Sequence, residues 1–135
     1  FNQKLVGYLT HLRDKELESE EYQKNLLKGF LESVLPYNFI NTSSRIDLAI
    51  YNGKDANSSL GILFECKSLI NKSEMMSTEK INSKALQEVV YYYLQERLFN
   101  KNLEINHKGI SLSVENGSIF NFTIEETKLK NKKPL

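Results

Sequence analysis

Three residues of this chain have the types and spacing for metal-assisted hydrolysis of a phosphodiester: Asp47, Glu65 and Lys67. Two carboxylates are hard oxygen ligands of the kind Mg²⁺ takes, and the backbone carbonyl of Cys66 is well placed as a third ligand. Such an ion polarises a phosphate and lowers the pKa of a bound water. Lys67 follows Glu65 by two residues. On an extended chain that spacing puts both side chains on one face and sends Cys66 to the other. There the ammonium can orient the water or stabilise negative charge in the transition state. Beside two carboxylates it stays protonated, so charge stabilisation and positioning fit it better than general-base work.

The elements that must hold these groups are legible around them. Leu60 to Lys67 is an apolar run without helical period and reads as a buried strand. A charge on a buried strand is costly unless it is paired or bound to a metal. Upstream, Ile46, Leu48 and Ile50 alternate with Asp47, Ala49 and Tyr51, giving a second strand over 46–51. The stretch Asn52 to Ser59 between them is rich in turn formers. An antiparallel hairpin follows, with Asp47 opposite residue 64 or 65. Directly opposed Cβ atoms lie about 4.5–5.5 Å apart, so the Asp47 and Glu65 carboxylates can meet on one ion. Glu-x-Lys alone is weak, since a second copy, Glu126-Thr127-Lys128, lies in the charged tail and reads as solvated surface. The bland alternative at 65–67 is a strand-end salt bridge between Glu65 and Lys67 or Arg45.

Helices surround the hairpin. Residues 1–17 carry apolar residues at helical spacing, and a second helix spans 20–35, with Ser19 as N-cap, Glu20 and Glu21 in its first turn and Pro36 ending it. Residues 68–77 are a connection, and Ser77 or Thr78 caps a third helix over 78–99. Lys84, Gln87 and Tyr91 form one stripe on that helix. Gln87 could bond a catalytic water, a metal or a DNA phosphate, and Lys84 and Tyr91 share its face. Two further strands, Ile110 to Val114 and Phe120 to Ile124, flank Asn116-Gly117, a strong hairpin signal. The order ααββαββ gives an α/β (α+β) fold, a mixed β-sheet flanked by helices.

Composition bounds the reading. The 135 residues suit one domain, 1–135, with its core at about 18–124 and a charged tail at 125–135. Hydrophobic residues make up 40% and charged residues 26%, ordinary globular values. No membrane span or secretory segment is visible. The single Cys66 excludes an internal disulfide and fits a reducing, intracellular setting. A net charge of +1 argues against a free-standing, high-affinity nucleic-acid binder, but not against an enzyme delivered by another domain. A first residue Phe1 rather than Met suggests a fragment of a longer chain. Arg45, Lys72, Lys80, Lys84 and Arg97 could track phosphates, with solvated surface charge as the plain alternative. His107 reads as a turn residue rather than a ligand.

Asp47, then Glu65-Cys66-Lys67 across a hairpin, then a helix with Gln87-x-x-x-Tyr91 resembles the PD-(D/E)XK nuclease superfamily in its RecB-like branch. More narrowly, the segments Arg45 to Lys54, Phe64 to Lys67, Asn71 to Met75 and Lys84 to Arg97 are similar to the N-terminal endonuclease domain of type IIG restriction–modification enzymes. Those enzymes join nuclease, adenine methyltransferase and target-recognition parts in one polypeptide. The resemblance covers about residues 18–124. It implies a restriction-endonuclease-like fold and a catalytic trio of Asp47, Glu65 and Lys67, with Gln87 accessory. It also implies Mg²⁺ as cofactor, with Mn²⁺ able to substitute. Such nucleases often add a Glu from the first core helix; Glu21 is the candidate, with Glu20 and Glu18 as rivals. Cys66 stands where relatives usually carry a small aliphatic residue, a mild departure because buried Cys behaves as a small hydrophobe. No Asn-Pro-Pro-aromatic motif or glycine-rich cofactor loop is present. Expected partners are therefore double-stranded DNA and the methyltransferase and target-recognition domains of a parent chain, with transient dimerisation for cutting both strands. The expected setting is the bacterial cytoplasm, with no membrane involvement. The alternatives are a RecB-like nuclease of repair or phage defence, and a catalytically silent DNA-binding or docking relative.

Overall fold

A computed structural model describes residues 1–43, 45–77 and 79–106, together with the strands at 108–112 and 119–123. The chain opens with α1 (Asn2–Asp14) and α2 (Glu20–Val34). Ser19 caps α2 by accepting the Tyr22 N–H on its hydroxyl at 3.1 Å, satisfying a donor that has no partner inside the helix. Glu20 and Glu21 occupy its first turn, where the helix dipole favours negative charge. The two helices pack through aromatic rings, with Tyr8 stacked on Phe30 at 4.9 Å between centroids.

Three strands follow: β1 (Ile40–Ser43), β2 (Ile46–Tyr51) and β3 (Leu60–Phe64), ordered β1-β2-β3 and antiparallel throughout. The expected hairpin of β2 with β3 is present, in the register Leu48↔Phe64, Ala49↔Leu63 and Ile50↔Ile62. Its central strand is covered on both sides. Leu48 and Ile50 lie against Leu27, Leu31 and Leu35 at the end of α2. Ala49 and Tyr51 join Ile46 and Leu60 in a second cluster, against which Tyr92 packs. Leu48 and Ala49, neighbours on opposite faces, are both fully inaccessible. The outer edge of β3 is occupied as well: Gly61 O accepts the Asn106 N–H at 2.8 Å, and Leu60 O accepts the Asn102 side-chain amide at 2.9 Å.

After a single turn of 3₁₀-helix at Lys72–Glu74, α3 (Lys84–Leu94) crosses the sheet and ends in a π-helical turn, Gln95–Phe99. A separate two-stranded antiparallel sheet pairs β4 (Lys108–Leu112) with β5 (Ile119–Thr123). The fold class expected from the sequence, α+β with helices on a sheet, is the one observed.

Four details differ from the sequence reading. A strand, β1, precedes the hairpin where none was expected; it pairs through its backbone, and its polar residues from Asn41 give little apolar alternation to announce it. Every strand pair described is antiparallel, where a mixed sheet was expected, because connections this short cannot join parallel neighbours. Strand β3 ends at Phe64 rather than at Lys67. Finally, α3 begins at Lys84 and not at residue 78, with Ser83 as its cap, its hydroxyl accepting the Leu86 N–H at 3.3 Å. Ser77 spends its hydroxyl on a local turn, accepting from the Lys80 N–H. Thr78, His107, the Asn116-Gly117 turn and the charged tail lie outside the described residues. Among those described, no helix is long and apolar enough to cross a membrane.

Candidate functional site

The site forms where the hairpin runs out. Leu48 pairs with Phe64, so the same register continued by one residue sets Asp47 against Glu65. The ladder stops there, and a side chain replaces it: Asp47 Oδ2 accepts the Cys66 N–H at 2.8 Å. That bond fixes the acid at the root of the Glu65–Lys67 segment. Alternation persists beyond the strand. Lys67 and Glu65 turn to one side and form an ion pair, both side chains almost wholly buried. Cys66 turns to the other, where its thiol feels Glu20 and Lys24 of α2.

Lys67 has a second partner that the sequence reading did not single out. Its ammonium lies 2.5 Å from Glu88 Oε2, so a carboxylate of α3 and one from the strand end grip it together. The packing of α3 accounts for this. Ala85 is buried and Tyr92 packs on the sheet cluster, and Ala85, Glu88 and Tyr92 stand at i, i+3 and i+7, one stripe of the helix.

The stripe expected to cover the site, Lys84–Gln87–Tyr91, is rotated by one residue from the buried one and lies outside it. Gln87 donates its amide to Asn82 at 2.8 Å. Tyr91 is 54% exposed and its hydroxyl accepts from Gln95. Lys84 reaches Glu74 at 3.4 Å. Neither Gln87 nor Tyr91 is thus brought to Lys67; Glu88 and Tyr92 stand there instead. Arg45 and Lys72 are exposed near the ends of β2 and the 3₁₀ turn, while Lys80 and Arg97 donate to the carbonyls of Ser73 and Leu103.

On the other side α2 contributes Glu20 rather than Glu21. Glu20 Oε2 accepts the Ser68 N–H at 3.0 Å, directly after Lys67. Glu21 is largely exposed and pairs with Lys24 at 2.5 Å, touching the site only through that lysine. The Lys24 ammonium is held above its ordinary range by its bond to Glu21, against the opposing effect of burial and with help from the Asp47 charge. Buried Gln23 completes the frame. Its carbonyl accepts the Leu69 N–H at 3.2 Å, and its amide donates to Glu16 O at 2.9 Å in the turn between α1 and α2.

Electrostatics follow from this crowding. Glu65 is pushed up to about 8, first by burial, then by its hydrogen bond to Glu88, with the Asp47 charge adding to both. Glu88 moves the other way, lowered by the hydrogen bond from Glu65, because a proton resting on one carboxyl of the pair favours ionisation of the second. Burial works against the charge on Lys67, but its bonds to Glu65 and Glu88 prevail and hold it well above the ordinary lysine value. The thiol of Cys66 is pushed up to about 12 by burial and by Asp47.

Among the described residues, no three His, Cys, Asp or Glu side chains gather into a preformed metal cluster. The oxygens at hand are those of Asp47 and Glu65. In type they suit a hard divalent cation. Asp47 commits one carboxylate oxygen to the Cys66 amide, and Glu65 commits one to Lys67.

Neither the curated proteins nor the solved structures yield a match to this chain. A match does come from DUF7149, described as a domain of unknown function, and it spans residues 1–131, from α1 through β5 and into the tail. The helices, the hairpin and every group gathered around Lys67 lie within that match, and the chain belongs to the DUF7149 family.

Proposed function

We propose that this domain is a Mg²⁺-dependent DNA endonuclease, the cleavage module of a larger restriction–modification enzyme of the type IIG kind. The observation that carries the reading is the meeting of Asp47, Glu65 and Lys67 at the open end of one hairpin, with the lysine ammonium inside the site. Asp47, Glu65 on release of its proton, and the Cys66 carbonyl would hold the ion, with Mn²⁺ able to replace it. Bound there, the ion supplies polarisation of the scissile phosphate and a water of lowered pKa. The chain's own groups do the rest. Lys67 stays charged between Glu65 and Glu88 and acts on the negative charge that develops at phosphorus, not as a base. Asp47 keeps the Glu65–Lys67 segment in place through the Cys66 amide. Lys84, Arg45 and Lys72 offer exposed cations to the DNA backbone, where such contacts position without reading sequence. Gln87 and Tyr91 face solvent on α3 beside Lys84, and contacts with DNA fit them better than contacts with the reacting phosphate.

With a net charge of +1, the domain depends on methyltransferase and target-recognition parts of a parent chain for affinity and specificity on double-stranded DNA. The setting is the bacterial cytoplasm, and transient pairing of two modules accounts for cutting both strands. A second reading, a catalytically silent DNA-docking relative, draws on the engagement of Lys67 by two carboxylates, which an ion pair of purely structural purpose would also show.

Plasmid nicking with Mg²⁺ by the wild type, Asp47→Ala and Lys67→Ala separates the two. Loss of about 10²-fold or more in both variants is expected, the scale of removing one transition-state contact. Equal nicking by all three would rule this site out as the source of cleavage. Where the isolated domain is silent, calorimetry with Mg²⁺ decides: binding that survives Asp47→Ala refutes the metal assignment.

A further inference from the structure

We infer that Glu88 is the positioning residue of Lys67: it ties the lysine ammonium to α3 and so fixes where the positive charge sits in the site. This rests on the nuclease reading only for its catalytic consequence; the clamp itself stands on geometry. A lysine side chain has four rotatable carbons and a single strongly hydrated charge, and it is held in place only by its partners. Glu65 cannot do this alone. It is two residues away on the same segment, past the last rung of β3, so its bond ties the ammonium only to the stretch of chain that already carries it. Glu88 comes from a different element. Its Oε2 lies 2.5 Å from the Lys67 ammonium, and its helix is anchored to the sheet cluster by Tyr92 one turn later. The lysine side chain is only 6% exposed and that of Glu88 31%, so solvent reaches the pair from the glutamate side alone. Strand end and helix are thereby joined through one ammonium.

The clamp also explains why α3 presents its Glu88 stripe inward and its Gln87 stripe outward. Rotating the helix to bring Gln87 to Lys67 would withdraw the carboxylate and expose Tyr92, which packs on the sheet.

Two measurements test this. The first is the ¹H–¹⁵N spectrum of the lysine ammonium groups of the intact domain, where an ammonium held in a buried ion pair exchanges slowly enough to be seen. A protected signal that disappears in Lys67→Ala is expected in the wild type. It should be lost in Glu88→Ala and kept in Glu74→Ala, the control partner of Lys84. Absence of that signal from the wild type, or its persistence in Glu88→Ala, overturns the proposal. The second is cleavage kinetics. Glu88→Ala should lower kcat by about 10–100-fold, the scale of a misplaced catalytic group, with KM within about twofold, and Glu88→Gln should fall between. Cleavage by the wild type with an unchanged kcat in Glu88→Ala overturns the proposal. Equal cleavage by wild type and Asp47→Ala instead defeats the nuclease reading, and the ammonium signal then decides the clamp alone.

Discussion

Asp47 Oδ2 accepts the main-chain N–H of Cys66 at 2.8 Å, at the point where the β2–β3 ladder has ended. One acid therefore both holds the chain and presents its remaining oxygen to the site. The two duties separate by substitution. Asp47→Asn keeps an acceptor and should leave stability within about 1 kcal/mol, whereas Asp47→Ala orphans a half-buried amide and should cost about 1–3 kcal/mol. Both should abolish Mg²⁺-dependent nicking. Urea unfolding beside a plasmid assay checks this; if Asp47→Asn cleaves like the wild type, the carboxylate has no part in metal binding.

Glu65 makes stability depend on pH in an unusual direction for a carboxyl. Its ordinary value is 4.5 and the folded protein pushes it up to about 8, through burial first and then its bond to Glu88. Between those values the folded state keeps a proton that the unfolded chain has released. The stability this group contributes is thus complete below about 4.5, is lost as pH rises through about 8, and is flat above. Glu65→Gln, which cannot titrate, should show a smaller loss of stability between pH 5 and pH 8 (roughly the window between the two values) than the wild type. Urea midpoints across that range measure it, and parallel curves would refute the assignment.

Cys66 should be chemically quiet. Only a thiolate is a good nucleophile, and this thiol is pushed up to about 12 by burial and by the charge of Asp47. Alkylation of the native protein at pH 8 (about half a unit below a free thiol's pKa) should be slower by on the order of 10²-fold or more than after unfolding in urea. Comparable rates in the two states would show an exposed thiol and undo the placement of Cys66 against α2.

The two neighbouring acids of α2 should behave differently. Glu20→Ala removes the acceptor of the Ser68 N–H, so exchange of that amide with solvent should quicken by about tenfold, the worth of one hydrogen bond. Glu21→Ala removes only the pair with Lys24 and should leave Ser68 unchanged. Hydrogen exchange followed by NMR distinguishes them, and equal protection of Ser68 in both variants would contradict the contact.

The hairpin was readable because alternation and turn chemistry agree there: Leu48 and Ile50 face one way, Ala49 and Tyr51 the other, and the Asn52 to Ser59 stretch can do little but turn. The pairing of Lys67 with Glu65 was readable for the same reason. Glu88 was missed because α3 is apolar nearly all round, and its phase is set by Tyr92 and Ala85 meeting the sheet, a tertiary fact. The choice between Glu20 and Glu21 turned on where Ser68 lies, which no local pattern encodes. β1 escaped notice because an edge strand needs only its backbone. Catalysis and the metal ion rest on family resemblance and on chemistry, and the experiments above address them.

The capped edge of β3 bears on how copies of this domain could associate. Asn102 and Asn106 already consume the carbonyls of Leu60 and Gly61 that an incoming strand would need. Among the described residues, β1 is left as the sheet's other border, polar and broken by a bulge between Asn41 and Ser43. A strand added at β3 would meet carbonyls already taken at Leu60 and Gly61, whereas joining two copies through β1 would give a twofold pair.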